Sequence, residues 1–190
     1  KEAINSSDIT FLCLPDDAAI EAVRVADSRV KILDTSTAHR TNPDWVYGLP
    51  ELSAEQFQKI KNSKRVAVPG CHASGFIALI YPLIEKGILQ KEACLSCFSL
   101  TGYSGGGKNM IAEYEAEDRD NLLGAPRQYG IAQMHKHLPE MSKICGIENA
   151  PAFIPVVADF YSGMEVTIPL FASQVNASVE EIKELYLSLM

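Results

Sequence analysis

Residues 65–87 read RVAVPGCHASGFIALIYPLIEKG. Arg65 to Val68 forms a short strand that stops at Pro69 and Gly70, one of which lacks a ladder donor while the other accepts turn conformations. From Ala73 to Lys86 the chain is mostly apolar and reads as a helix, closed by Gly87. Strand, sharp turn and helix in this order belong to an α/β architecture.

The same grammar continues on both sides. Upstream, Ile9 to Leu14 (ITFLCL) reads as a buried strand that leaves its sheet at Pro15. Asp16 or Asp17 is placed to cap a helix over Ala18 to Ala26, with Ile20, Val23 and Ala19 on one stripe. A second strand, Val30 to Leu33, then ends at Asp34, and strand, helix, strand is the unit of a parallel sheet. Asn42 to Pro50, which holds the single Trp, reads as surface packing before a polar helix, AEQFQKIKNS, capped by Ser53. Downstream, Cys94 to Leu100 is strand-like and is followed by the turn GYSGGGK and a helix from about Asn109 to Asp118. After the polar stretch Glu117 to Gln133 come HKHLPEM, the strand-like AFIPVVADF, the alternating MEVTIPLFASQ and a helix that Ser178 starts, with Glu181 in capping-box position. That helix reaches Met190 with its apolar period still running and no glycine cap, and the first strand begins almost at once. Both ends therefore read as cut from a longer chain.

Composition narrows the function. The 190 residues are 47% hydrophobic and 22% charged, an ordinary globular mixture. A net charge of −7 argues against nucleic acid or an anionic membrane surface as partner and favours small molecules. No apolar run approaches the roughly 20 residues of a membrane span, and the polar start KEAINSSD is no signal peptide. Five scattered cysteines fit reduced thiols in the cytoplasm, so at least one is free for chemistry.

Cys71 stands where a strand turns into a helix. First-turn N–H groups and the positive helix end stabilise a thiolate there, in the manner of a nucleophile elbow built around sulfur. A small buried cysteine is the competing reading. His135 and His137 supply an acid–base partner, and Glu140, three residues beyond His137, is spaced to hold its ring on a helix. An H-x-H pair also suits zinc, but no further ligands follow at zinc spacing and Cys94 and Cys97 sit in a strand, so no metal is expected. GYSGGGKN matches G-x-x-x-x-G-K and then fails, because Asn109 stands where a P-loop needs Ser or Thr. The glycine turn still offers N–H groups to a phosphate, or it is a flexible loop without a ligand. Asp34 to Arg40 lies at the carboxyl end of a parallel strand, where α/β folds collect ligands, though taken alone these residues read better as a surface loop in which Thr and Ser cap turns and Arg40 is solvated.

In order, FLCLPDDAA, ILDTSTAHR, VYGLPEL, VAVPGCHASGF, GYSGGGK, HKHLPEM and FYSGMEVTIPL resemble N-acetyl-gamma-glutamyl-phosphate reductases, in particular their shorter variety, across nearly the whole chain. The resemblance implies an α/β plus α+β fold: residues 1–65 as the remnant of an NADP-binding Rossmann-like domain, and 66–190 as a catalytic and dimerisation domain. The latter would be like that of glyceraldehyde-phosphate dehydrogenase, with a mixed sheet. It also implies reduction of an acyl phosphate with NADPH through a Cys71 thioester, with His137 as acid–base residue and Glu140 as its orienter. His135, Arg40 and Lys108 are then substrate contacts, Pro15, Thr35, Ser36, Ser104, Gly105 and Gly107 line the cofactor, and the protein is a homo-oligomer, dimer or tetramer. The family's opening G-x-G-x-x-G is absent. His72 departs from the aromatic residue many relatives carry and stands as a second candidate base. The alternatives are a related reductase such as aspartate-semialdehyde dehydrogenase, a cysteine hydrolase that needs no nicotinamide, and an inactive oligomerisation module.

Overall fold

The computed structural model describes residues 1–189; Met190, the last residue of the expected final helix, lies outside them. Two packed units follow one another, Lys1–Gly70 joined by the chain's end from Glu184, and Cys71–Lys183.

The first unit runs α1 (Glu2–Asn5), β1 (Ile9–Leu12), α2 (Asp16–Arg24), β2 (Lys31–Asp34), β3 (Val46–Tyr47), α3 (Ala54–Asn62) and β4 (Arg65–Ala67). Its sheet has the order β1-β2-β4-β3, and every pair is parallel. Val30 and Ile32 join Leu12 in a core on which Ala22, Val23 and Trp45 pack. The two-residue β3 lies inside the stretch read above as surface packing, paired with β4 through Val46–Val66 and Tyr47–Ala67. Because β4 pairs with β2 and β3, the chain stays in this unit as far as Gly70.

β1 is not the buried strand its apolar letters suggest. It stands at the edge of the sheet, the helix-covered face takes Leu12, and Ile9 and Phe11 point the other way, with Phe11 65% exposed. Neither Asp16 nor Asp17 caps α2 through its side chain, since Pro15 occupies the N-cap. The Asp16 carboxylate instead accepts the Thr37 N–H at 2.9 Å and the Thr37 hydroxyl. Ser53 does cap α3, accepting the Gln56 N–H at 3.0 Å.

The second unit runs α4 (Cys71–Glu85), β5 (Ser96–Gly102), α5 (Lys108–Glu115), β6 (Arg127–Gln128), α6 (Leu138–Cys145), β7 (Ala152–Ala158) and β8 (Met164–Thr167), and α7 (Val179–Leu187) ends the described chain. The mixed sheet has the order β6-β7-β5-β8, with β5 parallel to β7 and the outer strands antiparallel to their neighbours. On α4 the buried positions are His72, Ala73, Phe76, Ile77, Ile80, Leu83 and Ile84, a stripe at helical spacing. The helix lies on the sheet face that carries Ser99 and Val166, and it comes so close at Gly75 that a Cβ there would sit 2.6 Å from a Val166 methyl. Gly87, at φ 67°, closes it as expected. The alternating run MEVTIPLFASQ yields only the short β8, since Pro169 cannot donate to a ladder and a 3-10 turn follows at Ala172–Gln174. The Ser178 capping box is formed, with Ser178 N–H donating to the Glu181 carboxylate at 2.7 Å and Glu181 N–H to Ser178 Oγ at 3.2 Å.

β5 ends at Gly102 for a steric reason. A Cβ there would stand 2.6 Å from the Phe160 carbonyl oxygen and 2.7 Å from that of Tyr161. Gly102→Ala should therefore lower stability by about 2 kcal/mol or more through a backbone shift at the end of β5, read as a fall in the urea midpoint without a change in slope.

Candidate active site

Cys71 is the first residue of α4, exposed, at the positive end of a 15-residue helix. The next residue is buried. His72 turns into the unit, where its Nδ1 lies 2.7 Å from Ser99 Oγ and its Nε2 2.7 Å from the Tyr129 hydroxyl. Around it stand His135 at 5.7 Å, His137 at 5.6 Å and Phe153 at 5.3 Å between ring centroids. The sequence motifs HASG and HKH, 63 residues apart at their first letters, thus meet in one cluster beside Cys71.

Burial disfavours the charged forms of His72 and His135. It pulls the His72 pKa down from 6.5 to about 4, with the nearby His135 as the smaller cause, and it lowers that of His135, with Lys136 adding to the effect. The Tyr129 phenol moves the other way, up to about 12, first through burial and then through the charge of Cys71. His135 Nδ1 accepts the His137 backbone N–H at 3.2 Å, which requires a lone pair on that nitrogen and puts the ring proton of the neutral form on Nε2. Both His72 nitrogens are engaged inside the unit, one by Ser99 and one by Tyr129. His137 is 5% exposed at the N-cap of α6, and its Nε2 stands 3.9 Å from Glu140 Oε1, within ion-pair range but longer than a hydrogen bond.

The loop that delivers Tyr129, His135 and His137 is stitched to β7. Tyr129 N–H donates to Pro155 O at 3.0 Å, and the Gln133 side chain brackets Phe153, donating to its carbonyl at 2.7 Å and accepting from its N–H at 2.8 Å. Gln133 thereby takes the place of a neighbouring strand. It does so at φ 53°, the single positive φ outside glycine among the described residues. Ser99, Tyr129 and Gln133 carry no local sequence signal and were not among the expected site residues.

The other expected residues fall in three places. Arg40 donates to Val68 O at 2.9 Å and Thr35 O at 2.8 Å, bracing the carboxyl ends of β2 and β4. Thr35 Oγ1 donates to Leu12 O at 3.0 Å, while Ser36 Oγ is bound at 2.6 Å to the buried Asp34, whose carboxylate also takes His39 Nδ1–H at 2.6 Å. Pro15 is exposed at the end of β1. In the second unit the glycine turn offers fewer N–H groups than its letters suggest. Those of Gly102, Tyr103 and Ser104 donate to Gly163 O, Phe160 O and Tyr161 O, and that of Gly107 donates to Ser104 O. Gly105, Gly107 and Lys108 are exposed, and Gly107 sits at φ 77°, which is why a glycine stands there.

Two family models match the chain: the semialdehyde dehydrogenase dimerisation domain over residues 71–189 and the semialdehyde dehydrogenase NAD binding domain over residues 1–60. The N-acetyl-gamma-glutamyl-phosphate reductase of Rhizobium meliloti (strain 1021) is 46% identical over 180 residues, covering 93% of this chain and 58% of that protein. The same-named protein of Trichormus variabilis is 47% identical over 173 residues, 88% of this chain and 53% of that protein. The chain thus spans little more than half the length of these curated relatives. Among solved structures, aspartate semialdehyde dehydrogenase from Francisella tularensis shares the fold at TM-score 0.71 and 17% identity, over 100% of this chain and 65% of that one. Aspartate semialdehyde dehydrogenase with NADP from Candida albicans does so at TM-score 0.64 and 18% identity, over 94% and 55%.

Two outcomes test this geometry. Gln133→Ala should cost about 1–3 kcal/mol and release the Phe153 amide to hydrogen exchange, because it leaves a buried N–H and C=O without partners. Since the folded state holds His72 neutral down to about pH 4, the unfolded chain binds more protons between that value and about 6.5. Stability should be full above that window and fall on entering it from above, with His72→Phe removing on the order of 2 kcal/mol of the decline in urea titrations at pH 7 and pH 5.

Proposed function

The chain belongs to the semialdehyde dehydrogenase family, and from that membership we propose that it carries the cysteine chemistry of an NADPH-dependent reductase of N-acetyl-gamma-glutamyl phosphate, in arginine biosynthesis. The observation that carries the proposal is Cys71 at the start of α4, followed at once by His72 in a cluster with His135 and His137, in a chain whose 46–47% identical relatives bear that reductase name.

In this reading the Cys71 thiolate attacks the acyl carbonyl, the carbon–oxygen bond to phosphate breaks, and a thioester remains on the sulfur. A nicotinamide cofactor, when bound, supplies the hydride that reduces the thioester carbonyl. His137 moves the proton, Glu140 steadies its ring, and His135 contacts substrate through Nε2, the nitrogen that the His137 N–H does not occupy. Sulfur suits both steps, as a strong nucleophile at neutral pH and as part of a carbonyl that accepts hydride readily.

The first unit, which runs on through β4 to Gly70 and not only to residue 65, takes the cofactor domain's role, and the second takes catalysis and dimerisation. The first unit fits a nucleotide: Pro15 and Thr35 lie at the carboxyl ends of parallel strands, where such sheets bind ligands, and the Asp34–Ser36 bond fixes the loop. Pro15, Thr35 and Ser36 are assigned there, and Ser104, Gly105 and Gly107 in the second unit are assigned to the same cofactor. Arg40 and Lys108 are assigned to substrate anions. A homo-oligomer and a cytoplasmic setting complete the proposal; among the described residues no helix is long and apolar enough to cross a membrane.

Cys71→Ser should reduce NADPH-dependent turnover of the acyl phosphate by roughly a thousandfold or more, followed as loss of NADPH absorbance. Turnover that proceeds without nicotinamide points to a hydrolase, and preference for aspartyl phosphate points to the sister reductase. Full activity in the serine variant sinks the assignment.

A further inference from the structure

The His72 ring is fixed at both nitrogens, and its two partners come from different parts of the unit. Ser99 stands in the middle of β5 and is 0% exposed, whereas Tyr129 is the half-buried first residue of the loop between β6 and α6. That difference sets the direction of each bond. Among the described residues the Ser99 hydroxyl has one hydrogen-bond partner, His72 Nδ1, and a buried hydroxyl proton without an acceptor is costly, so Ser99 Oγ–H donates to Nδ1 at 2.7 Å. Neutral His72 then carries its proton on Nε2 and donates it to the Tyr129 oxygen at 2.7 Å. Tyr129 can turn its own proton toward solvent, and Ser99 has no such outlet.

His72 is also the ring around which the cluster gathers. Phe153, His137, His135 and Tyr129 stand between 5.3 and 6.3 Å from it, centroid to centroid. The loop's backbone is anchored on β7 through the Tyr129 N–H and the Gln133 side chain, but those bonds leave the ring orientations open. We propose that His72 is a positioning residue, a post bonded to β5 through Ser99 and to the loop through Tyr129, against which the His135 and His137 rings are set. The proposal rests on the reading of those two histidines as the substrate and proton residues. His135 meets the post edge-on, at 86° and 5.7 Å. It meets the His137 ring at 78° and 4.7 Å, and its Nδ1 accepts the His137 backbone N–H, so a tilt of His72 is passed to both rings. A phenyl ring at position 72 fills the same place without either bond, which separates positioning from packing.

The titratable groups around the post are Tyr129, His135 and His137 from the loop, Glu140 on α6 at 3.9 Å from His137, and Cys71 before it in the chain. Burial, and after it the charge of Lys136, holds the His135 pKa below its ordinary 6.5. If the loop leaves the post, water reaches that ring and the depression shrinks. The His135 titration therefore reports whether the loop is seated.

The experiment is histidine NMR on the whole 190-residue chain, with the ring nitrogens of its 4 histidines followed across pH and assigned by single substitution. His72 and His135 should both appear at pH 7 as neutral rings protonated on Nε2. Tyr129→Phe and His72→Phe should each move the His135 midpoint up toward 6.5, closing half of the gap or more, because each breaks the same bond. The double variant should go no further than the larger single. His72→Gln, whose amide donates from near the Nε2 position, should hold the wild-type midpoint where His72→Phe does not. Tyr129→Phe, which removes one hydroxyl from a half-buried ring, decides the matter if His72→Phe does not fold. A His72 ring protonated on Nδ1, a His135 midpoint that stays in place in the folded Tyr129→Phe protein, shifts that add in the double variant, or equal shifts in His72→Gln and His72→Phe overturn the proposal. These readouts need neither substrate nor cofactor. A fully active Cys71→Ser protein, in contrast, would remove the reductase reading and leave the post standing.

Discussion

An imidazole buried without a counter-charge stays neutral and needs both nitrogens satisfied, and the second unit is arranged around meeting that demand for His72. Placing a cation in a low-dielectric interior costs several kcal/mol, so the cluster is held by directed bonds instead of by charge. Those bonds need fixed partners. Ser99 comes from the middle of β5, Phe153 from β7 and Tyr129 from the loop after β6, and none of them moves independently of the sheet.

The parallel pairing of β5 with β7, from Ser96–Ala152 through Gly102–Ala158, is what makes these positions coincide. It sets Cys97 beside Phe153 and Ser99 beside Pro155 on one face. α4 then packs on that face, brought close by Gly75 against Val166, and the first turn of the helix carries His72 down to Ser99 while Cys71 stays exposed. A one-residue slip of β5 would put Ser99 on the opposite face and leave His72 Nδ1 over an apolar side chain. Register in the sheet is thus a condition on the chemistry.

What was legible in the sequence follows from range. The strand, turn and helix across Pro69-Gly70-Cys71 and the Ser178–Glu181 capping box are local, so their residue types announce them. β3 was not legible, because two residues cannot show a period and Val46–Tyr47 sits among turn formers. At the glycine turn the sequence could not show that the N–H groups of Gly102 to Ser104 are claimed by the carbonyls of residues 160, 161 and 163, a tertiary fact. The surroundings of His72 were hidden for the same reason: its partners lie 27 and 57 residues away and nothing in HASG points to them. Asp16 was read as a cap, but its carboxylate finds Thr37 in a loop that only the parallel sheet brings near.

The same physics sorts the five thiols. Cys97 and Cys145 are buried, and desolvation pushes both up to about 12, with Glu165 adding to it at Cys97. They are core residues that happen to carry sulfur. Cys13 and Cys94 are exposed, yet Cys13 directly follows β1 and Cys94 precedes β5, outside any helix start. Cys71 alone combines exposure with a helix N-terminus and an adjoining neutral hydrogen-bond network.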